Sequence, residues 1–464
     1  MLPDDVLLEV FNFHGDLDHG SFEKGLQAWQ KLVHVCRRWR CIVFESPRHL
    51  NLQLACTPTT PARDMLDIWP ALPIIISALS NPPTDNIIAA LECTDRVCVI
   101  YLGVFGSWNL DIFLATMQQP FPELTHLMLW LRDRMAGVVP DSFLGGSAPR
   151  LEYLRLDSIP FPGLPKLLLS ATNLVGLSLD HIPHSGYIAP DGMVAALSTL
   201  IRLKYLTLRF ESPRSCPDQA SRRPPPSTRS VLPGLIYFSF KGVSEYLDDL
   251  VACIDAPQLN TLFITFFNDT LFDKPQLVRF ISHTPMSKAL GNAYIFLRDR
   301  NAEVEFLSQT SEEVVFFVKV LCRGLDWQIS SLEQVCTSCL PPLFVLEDLY
   351  FDEDPYSQPD WKASIENTQW LGLFRSFMAV KNLYLSEKFA SCIAPALQEL
   401  VEGRTTDVLP ALQNIFLKEL DLSGSVHEGI GKLVAARQAA NHPIVISPWI
   451  YSEMDSEMVL ERED

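Results

Sequence analysis

Two spacings in this chain suggest metal ligation: Cys336-x2-Cys339 has the separation of half a zinc site, and His181-x2-His184 directly follows Asp180. Neither completes a ligand set. Structural zinc takes four ligands, no second Cys pair or well-spaced His pair follows Cys339, and Pro183 spoils a helical presentation of the two histidines. Gly429-Ile430-Gly431-Lys432 begins like a nucleotide loop, but Val426 stands where its first Gly belongs and Leu433 where Ser or Thr should follow the Lys. No Gly-x-Ser-x-Gly elbow occurs, and no Cys, His and acidic residue stand out as a nucleophilic set. The motifs lead us to expect no cofactor, no metal and no catalytic residue.

What remains is the chemistry of recognition. Eight side chains beside alternating leucines are candidates for a partner-binding face: Trp130, Tyr153, Arg155, Asp157, Tyr205, Arg209, Tyr237 and Lys241. Alternation in a strand turns such residues away from the core, and Tyr and Arg are favoured contact anchors. In-register strands would align Tyr153, Tyr205 and Tyr237 in one column, with Asp157, Asp180, Arg209 and Lys241 in another. The competing reading is that Tyr and Thr occupy these positions through strand propensity alone.

The elements that must position these residues recur. Segments reading FPELTHLMLW, APRLEYLRLD, ATNLVGLSLD, LIRLKYLTLR, LPGLIYFSFK, APQLNTLFIT, MAVKNLYLSE and LPALQNIFLK share L-x2-L-x-L, with looser copies at RVCVIYLG and LEDLYF. From Val97 through Leu124, Leu151, Leu174, Leu203, Leu235 and Leu259 the steps are 27, 27, 23, 29, 32 and 24 residues. Stretches such as NLDIFLATMQQ, GMVAALSTL, YLDDLVACI and IAPALQELVEG lie between them with helical spacing of apolar residues. Strand and helix in alternation imply parallel pairing. No unit of this size buries its apolar face alone, so neighbours must stack into one continuous core, an elongated body over residues 51–450. The Pro/Ser/Arg-rich stretch 211–230 reads as a surface loop, 352–360 as a smaller acidic break, and 451–464 as an acidic tail. Repeat register between Leu297 and Pro341 is hard to fix.

Ahead of the repeats, LPDDVLLEVF has Pro where a first turn tolerates it, Asp4 and Asp5 where the helix dipole favours anions, then apolar residues at helical spacing. A second helix, WQKLVHVCRRWR, carries an apolar stripe of Trp29, Leu32, Val33, Cys36 and Trp39. So short a unit is no self-sufficient core, and its apolar surface needs a partner.

LP-x2-VL-x2-VF followed by L-x2-VCRRW resembles an F-box over residues 1–50, with a longer loop than the family pattern between Phe11 and Val35. The remainder resembles degenerate leucine-rich repeats, although the family's usual Asn is mostly missing: Asp157-Ser158 and Asp180-His181 occupy its place in two copies. Together with CTPTTPARDMLDIWPALP, the whole is similar to the large F-box group of mushroom-forming fungi. That resemblance implies an α/β fold, a helical F-box followed by an irregular solenoid with a parallel sheet. It implies a non-catalytic receptor of an SCF-type ubiquitin ligase, its Skp adaptor facing Leu2, Pro3, Val6, Leu7, Val10, Phe11, Leu32, Val35, Cys36 and Trp39. The cullin machinery and an unknown protein substrate would complete the assembly. The alternative is a repeat scaffold whose front helices only cap the solenoid.

Composition narrows the partners. A net charge of -18 over 464 residues argues against general affinity for nucleic acid or anionic membranes. The longest aliphatic stretch, near Leu72 to Leu79, is far short of the ~20 residues of a membrane helix, and the N-terminus lacks a signal peptide's cationic start. Eleven cysteines scattered in apolar segments suggest buried thiols in a reducing compartment, hence the cytoplasm or nucleus.

Overall fold

The computed structural model describes residues 2–16, 28–46, 50, 52–59, 61–78, 85–104, 107–131, 137–215, 229–267, 274–288, 290–310, 313–322, 324–339, 346–353, 366–399, 407–418 and 424–449. The acidic tail lies outside them, as do most of the 211–230 stretch, most of the 352–360 break and the longer loop of the front unit. The chain divides into two compact units, Met1–Gln219 and Ala220–Asp464, both mixed α/β with mostly parallel strands.

The first unit opens with three helices, α1 (Asp4–Asp16), α2 (Ala28–Val33) and α3 (Arg37–Glu45). The single second helix expected from the sequence is two. The chain leaves α2 through short-range bonds from His34 N to Lys31 O and from Val35 N to Leu32 O, and Cys36 is extended (φ -159°, ψ 167°) ahead of α3. Arg40 Nε then donates to Val33 O at 3.0 Å, satisfying one of the carbonyls that end α2. Cys36 is therefore exposed and does not join the apolar stripe.

Seven strands follow in sequence order, each parallel to the last: β1 (Leu54–Cys56), β2 (Ile74–Ala78), β3 (Val97–Val104), β4 (His126–Leu131), β5 (Tyr153–Asp157), β6 (Gly176–Ile182) and β7 (Tyr205–Phe210). The repeat has a physical core. The first leucine of each copy is buried and closes a four-residue turn: Leu124 N donates to Phe121 O, Leu151 to Ala148, Leu174 to Ala171 and Leu203 to Leu200. The next two leucines, such as Leu154 and Leu156 or Leu177 and Leu179, point inward on the strand and are buried as well.

The second unit contains β8 (Ser230–Val231), β9 (Tyr237–Gly242), β10 (Ile254–Asp255), β11 (Thr261–Phe267), β12 (Leu290–Leu297), β13 (Asn301–Ser308), β14 (Val314–Leu321), β15 (Asp348–Phe351), β16 (Asn382–Leu385), β17 (Asn414–Leu417) and β18 (Val445–Pro448). Nine of these form a sheet in the order β9-β11-β14-β13-β12-β15-β16-β17-β18, and β8 pairs separately with β10. The departure from a uniform parallel sheet is β13, antiparallel to both β12 and β14. This meander occupies part of the stretch where the repeat register was hard to fix. Three consecutive eight-residue strands on short connections pair directly and dispense with a crossover helix.

On the inner face Phe351 packs against Trp370, Phe374 and Phe389 of the helices Asn367–Phe374 and Glu387–Glu399. Cys36, Cys41, Cys56, Cys93, Cys98, Cys253, Cys322, Cys336 and Cys392 are all free. Cys56, Cys98 and Cys322 have thiols pushed up to about 11 by burial, as the expectation of buried thiols has it, whereas Cys36 and Cys41 are exposed. No helix among the described residues is long and apolar enough to cross a membrane.

Candidate partner-binding surfaces

At about 100° per residue, the apolar residues of α1 fall on two separate faces. Leu7 and Phe11 (5% and 3% exposed) look toward α2 and α3, where Leu32 and Val33 are also buried. Phe11 meets the half-buried Trp39 with ring centroids 4.7 Å apart. The other face carries Leu2, Val6 (40%), Val10 (50%) and Phe13 (65%), all exposed, and Val35 is exposed beyond α2. The ten residues expected to face an adaptor therefore divide. Leu2, Pro3, Val6, Val10, Val35 and Cys36 are open to solvent, whereas Leu7, Phe11 and Leu32 are consumed in holding the helices together, with Trp39 between the two.

Phe13 was not among the expected residues, although its spacing from Val6 and Val10 carried the signal. Arg38 ties α3 to the start of α1 through Asp4 Oδ1 (Nε at 3.1 Å). The far side of the helices rests on Trp69, whose ring lies 5.2 Å from Trp29 and 5.9 Å from Phe44. Trp29 Nε1 also donates to Gln53 O at 2.9 Å.

The outward face of the first sheet places His126, Tyr153, Gly176 and Tyr205 in one register column. Tyr153 stacks on His126 at 4.8 Å and leans over Gly176, where a Cβ would come within 2.7 Å of its ring. Burial holds the His126 imidazole below its ordinary pKa. Four residues along, Trp130, Asp157 and Asp180 share a column. Asp157 was expected to be an exposed contact; it is buried. Its strand position faces outward, but its neighbours close over it: Ser158 Oγ donates to Oδ1 at 3.0 Å and His181 Nδ1 lies 2.9 Å from the same oxygen.

Asp180 is buried too, accepting from Ser178 Oγ at 2.7 Å and lying 3.4 Å from Arg155 Nε and 3.5 Å from Arg209 Nη1. Both aspartates precede a residue in the left-handed region, Ser158 (φ 60°) and His181 (φ 48°), so Asp-Ser-Ile-Pro and Asp-His-Ile-Pro are two copies of one strand ending. Arg155 and Arg209 thus stand partly exposed over a fixed buried carboxylate, anchors with restricted geometry. His181 and His184 have separate partners, since His184 Nδ1 contacts Arg214 O at 3.1 Å. Among the described residues no cluster of His, Cys, Asp and Glu is arranged to hold a metal ion. Gly429-Ile430-Gly431-Lys432 lies within the helix Gly424–Ala439.

In the second unit Tyr237 packs edge-on to Phe263 at 5.6 Å, and Lys241 Nζ lies 5.8 Å from the centre of the Phe267 ring. The larger feature there was not anticipated. Tyr294, Tyr350, Tyr384 and Phe416 occupy one column across β12, β15, β16 and β17, with successive centroids 4.2, 4.1 and 4.5 Å apart and planes within 10°. Trp449 stands inclined beside Tyr350 and Tyr384 at 5.9 and 5.6 Å. A parallel polar ladder runs beside the rings: Asn414 Nδ2 donates to Asn382 Oδ1 (2.8 Å), and Asn382 Nδ2 donates to Asp348 Oδ1 (2.7 Å). LEDLYF, KNLYLSE and LQNIFLK held the signal, an aromatic between two inward apolar residues in each copy.

No family model matches the chain, and no curated protein matches it.

Proposed function

We propose that this protein is a substrate-recognition subunit of an SCF-type ubiquitin ligase, its front helices docking a Skp-type adaptor and its strand faces presenting a protein partner. In this reading it is non-catalytic and works in the cytoplasm or nucleus, where that machinery operates. One observation supports it above the others: α1 keeps Leu2, Val6, Val10 and Phe13 exposed after Leu7 and Phe11 have met the needs of its own core. A helix that merely capped the repeats would turn its larger apolar face inward. Exposed aliphatic and aromatic side chains at helical spacing are what helix-to-helix docking requires.

The test is calorimetric titration of the full chain with purified Skp adaptor. Val6→Asp combined with Val10→Asp places two charges on the exposed stripe without touching Leu7 or Phe11. It should weaken capture by at least about 30-fold, through desolvation of charge at the interface, with an unchanged melting temperature. Failure of the wild-type chain to bind the adaptor, or equal binding by the double variant, would leave the scaffold reading in its place.

A further inference from the structure

On the outward face of the first unit the carboxylates are buried and the guanidinium groups are not. The Asp, Glu, Lys and Arg residues within β3 to β7 are Arg155, Asp157, Asp180 and Arg209, all at outward positions. Asp157 and Asp180 are 8% and 4% exposed, whereas the side chains of Arg155 and Arg209 are 49% and 44% exposed. The four formal charges cancel, yet the charge that meets solvent is cationic, in a chain of net charge -18.

The two arginines come from the strands on either side of β6 and converge on one of its residues. Arg155 Nε stands 3.4 Å from Asp180 Oδ2 and Arg209 Nη1 stands 3.5 Å from Oδ1, both beyond the about 2.7–2.9 Å of a charge-assisted hydrogen bond. Asp180 therefore gathers the guanidinium groups by charge. Together they carry about ten N–H donors against about four acceptor sites on one carboxylate, and Ser178 Oγ already donates to Oδ2. The cluster has more donors than its own acceptor can take. The other ionisable groups nearby do not fill that need: His181 lies on Asp157 at 2.9 Å, and Glu211, the next outward carboxylate, follows the end of β7. Tyr153 and Tyr205 stand exposed at the starts of β5 and β7, beside the arginines.

These features select a ligand by chemistry. Planar forks of N–H donors match a carboxylate. A cluster of zero formal charge has no field to concentrate a polyanion such as nucleic acid, and the two buried carboxylates repel a doubly charged phosphate at short range more than a singly charged carboxylate. Exposed tyrosines anchor apolar neighbours. We propose that the outward face of β5 to β7 docks an acidic segment of a partner protein, with one Asp or Glu carboxylate bridging Arg155 and Arg209 and apolar side chains resting on Tyr153 and Tyr205. This rests on the reading of the strand faces as the partner-presenting surface, and names the partner's chemistry.

The probe is the fluorescein-labelled peptide Gly-Ser-Leu-Glu-Leu-Ser-Gly, titrated into the full chain and read by anisotropy. The same peptide with Gln for Glu should bind at least about tenfold more weakly, through loss of charge-assisted hydrogen bonds. A phosphoserine in place of Glu should bind no more tightly than Glu, and a single-stranded oligothymidine of about twelve nucleotides should bind at least about tenfold more weakly. Arg155→Gln and Arg209→Gln should each weaken the Glu peptide about tenfold while leaving the residual affinity of the Gln peptide unchanged, which shows that each variant is still folded. Arg155→Lys keeps the charge but not the fork and should cost about threefold. Tyr205→Ala should weaken both peptides by a similar factor.

Absence of binding by the Glu peptide, equal binding of the Gln peptide, tighter binding of the phosphoserine peptide or the oligothymidine, or indifference to both Arg→Gln substitutions would overturn the proposal. So would sedimentation showing that a second copy of the chain covers this face. Adaptor titration of the same preparation reads the front helices separately, so a failure here is distinguishable from failure of the ligase reading.

Discussion

Phe11 of α1 and Trp39 of α3 pack with ring centroids 4.7 Å apart and planes at 58°, and this contact joins the first helix of the chain to the third. The same contact makes Trp39 a structural residue of the front unit before it is anything else. Trp39→Ala should therefore loosen α1, at a cost of about 2 kcal/mol, below the usual 3–5 for a fully buried aromatic because the ring is half-exposed. Amide hydrogen exchange should speed up across Asp4–Asp16 while the strands β3 to β7 keep their protection. Unchanged exchange in α1 would show that the contact contributes nothing.

Asn382 is the middle rung of the Asp348, Asn382 and Asn414 ladder and serves as both donor and acceptor. Asn382→Ala removes two hydrogen bonds at once and should destabilise the second unit by about 1–2 kcal/mol, given roughly 1 kcal/mol net for each. Asn414→Ala removes one and should cost about half as much. Urea denaturation midpoints of the two variants measure the ratio, and equal losses would contradict the ladder.

Lys274 is buried at the start of the helix Pro275–Ser282, with its Nζ 2.6 Å from Glu245 Oε1. Burial acts to raise the pKa of Glu245, but the hydrogen bond and charge of Lys274, together with a backbone hydrogen bond and one from Ser244, outweigh it, and the carboxyl is held below its ordinary value. A carboxylate depressed in the folded state contributes stability that is present above its unfolded pKa, about 4.3, and is lost as pH falls through the lower folded value. Glu245→Gln should remove this acid-sensitive contribution, so its urea midpoint should differ from wild type at pH 7 and converge toward it at pH about 3. Lys274→Met combined with Glu245→Gln, which replaces the pair rather than one partner, should lie closer to wild type at pH 7 than Glu245→Gln alone, which leaves the buried ammonium uncompensated. A wild-type gap that is the same at both pH values would refute the pairing.

Arg437 is buried within the helix Gly424–Ala439 and donates through Nη2 to Val408 O (2.7 Å) and Leu409 O (3.0 Å). Burial lowers its pKa, but an arginine remains charged. Leu409 itself sits at φ 47°, so the loop before β17 needs those donors to hold a strained turn. Arg437→Met should cost about 2–4 kcal/mol by orphaning buried carbonyls, and Arg437→Lys should recover only part, since a single ammonium cannot span the fork of acceptors. Thermal unfolding of the three proteins gives the order.

The repeat was legible because its signal is local. Leu124, Leu151, Leu174 and Leu203 each close the same four-residue turn and sink into the core, so L-x2-L-x-L specifies turn, strand and inward face together. The outward positions followed by alternation, and Tyr153 and Tyr205 do share a column. The helical front was readable for the same reason: periodic apolar residues need only the geometry of one helix to be recognised.

Tertiary structure alone decided which of those residues remain available. Helical spacing marks Val6, Leu7, Val10 and Phe11 as equally apolar, and only the positions of Leu32, Val33 and Trp39 select Leu7 and Phe11 for burial and leave Val6 and Val10 exposed. Asp157 occupies an outward strand position by alternation, yet Ser158 and His181, the second of them 24 residues away, cover it. Tyr350, Tyr384 and Phe416 are separated in sequence and become a stacked column only through the register of β15, β16 and β17. Local periodicity fixes direction relative to one element; exposure and partnership depend on what the rest of the chain brings alongside, and that is a long-range property.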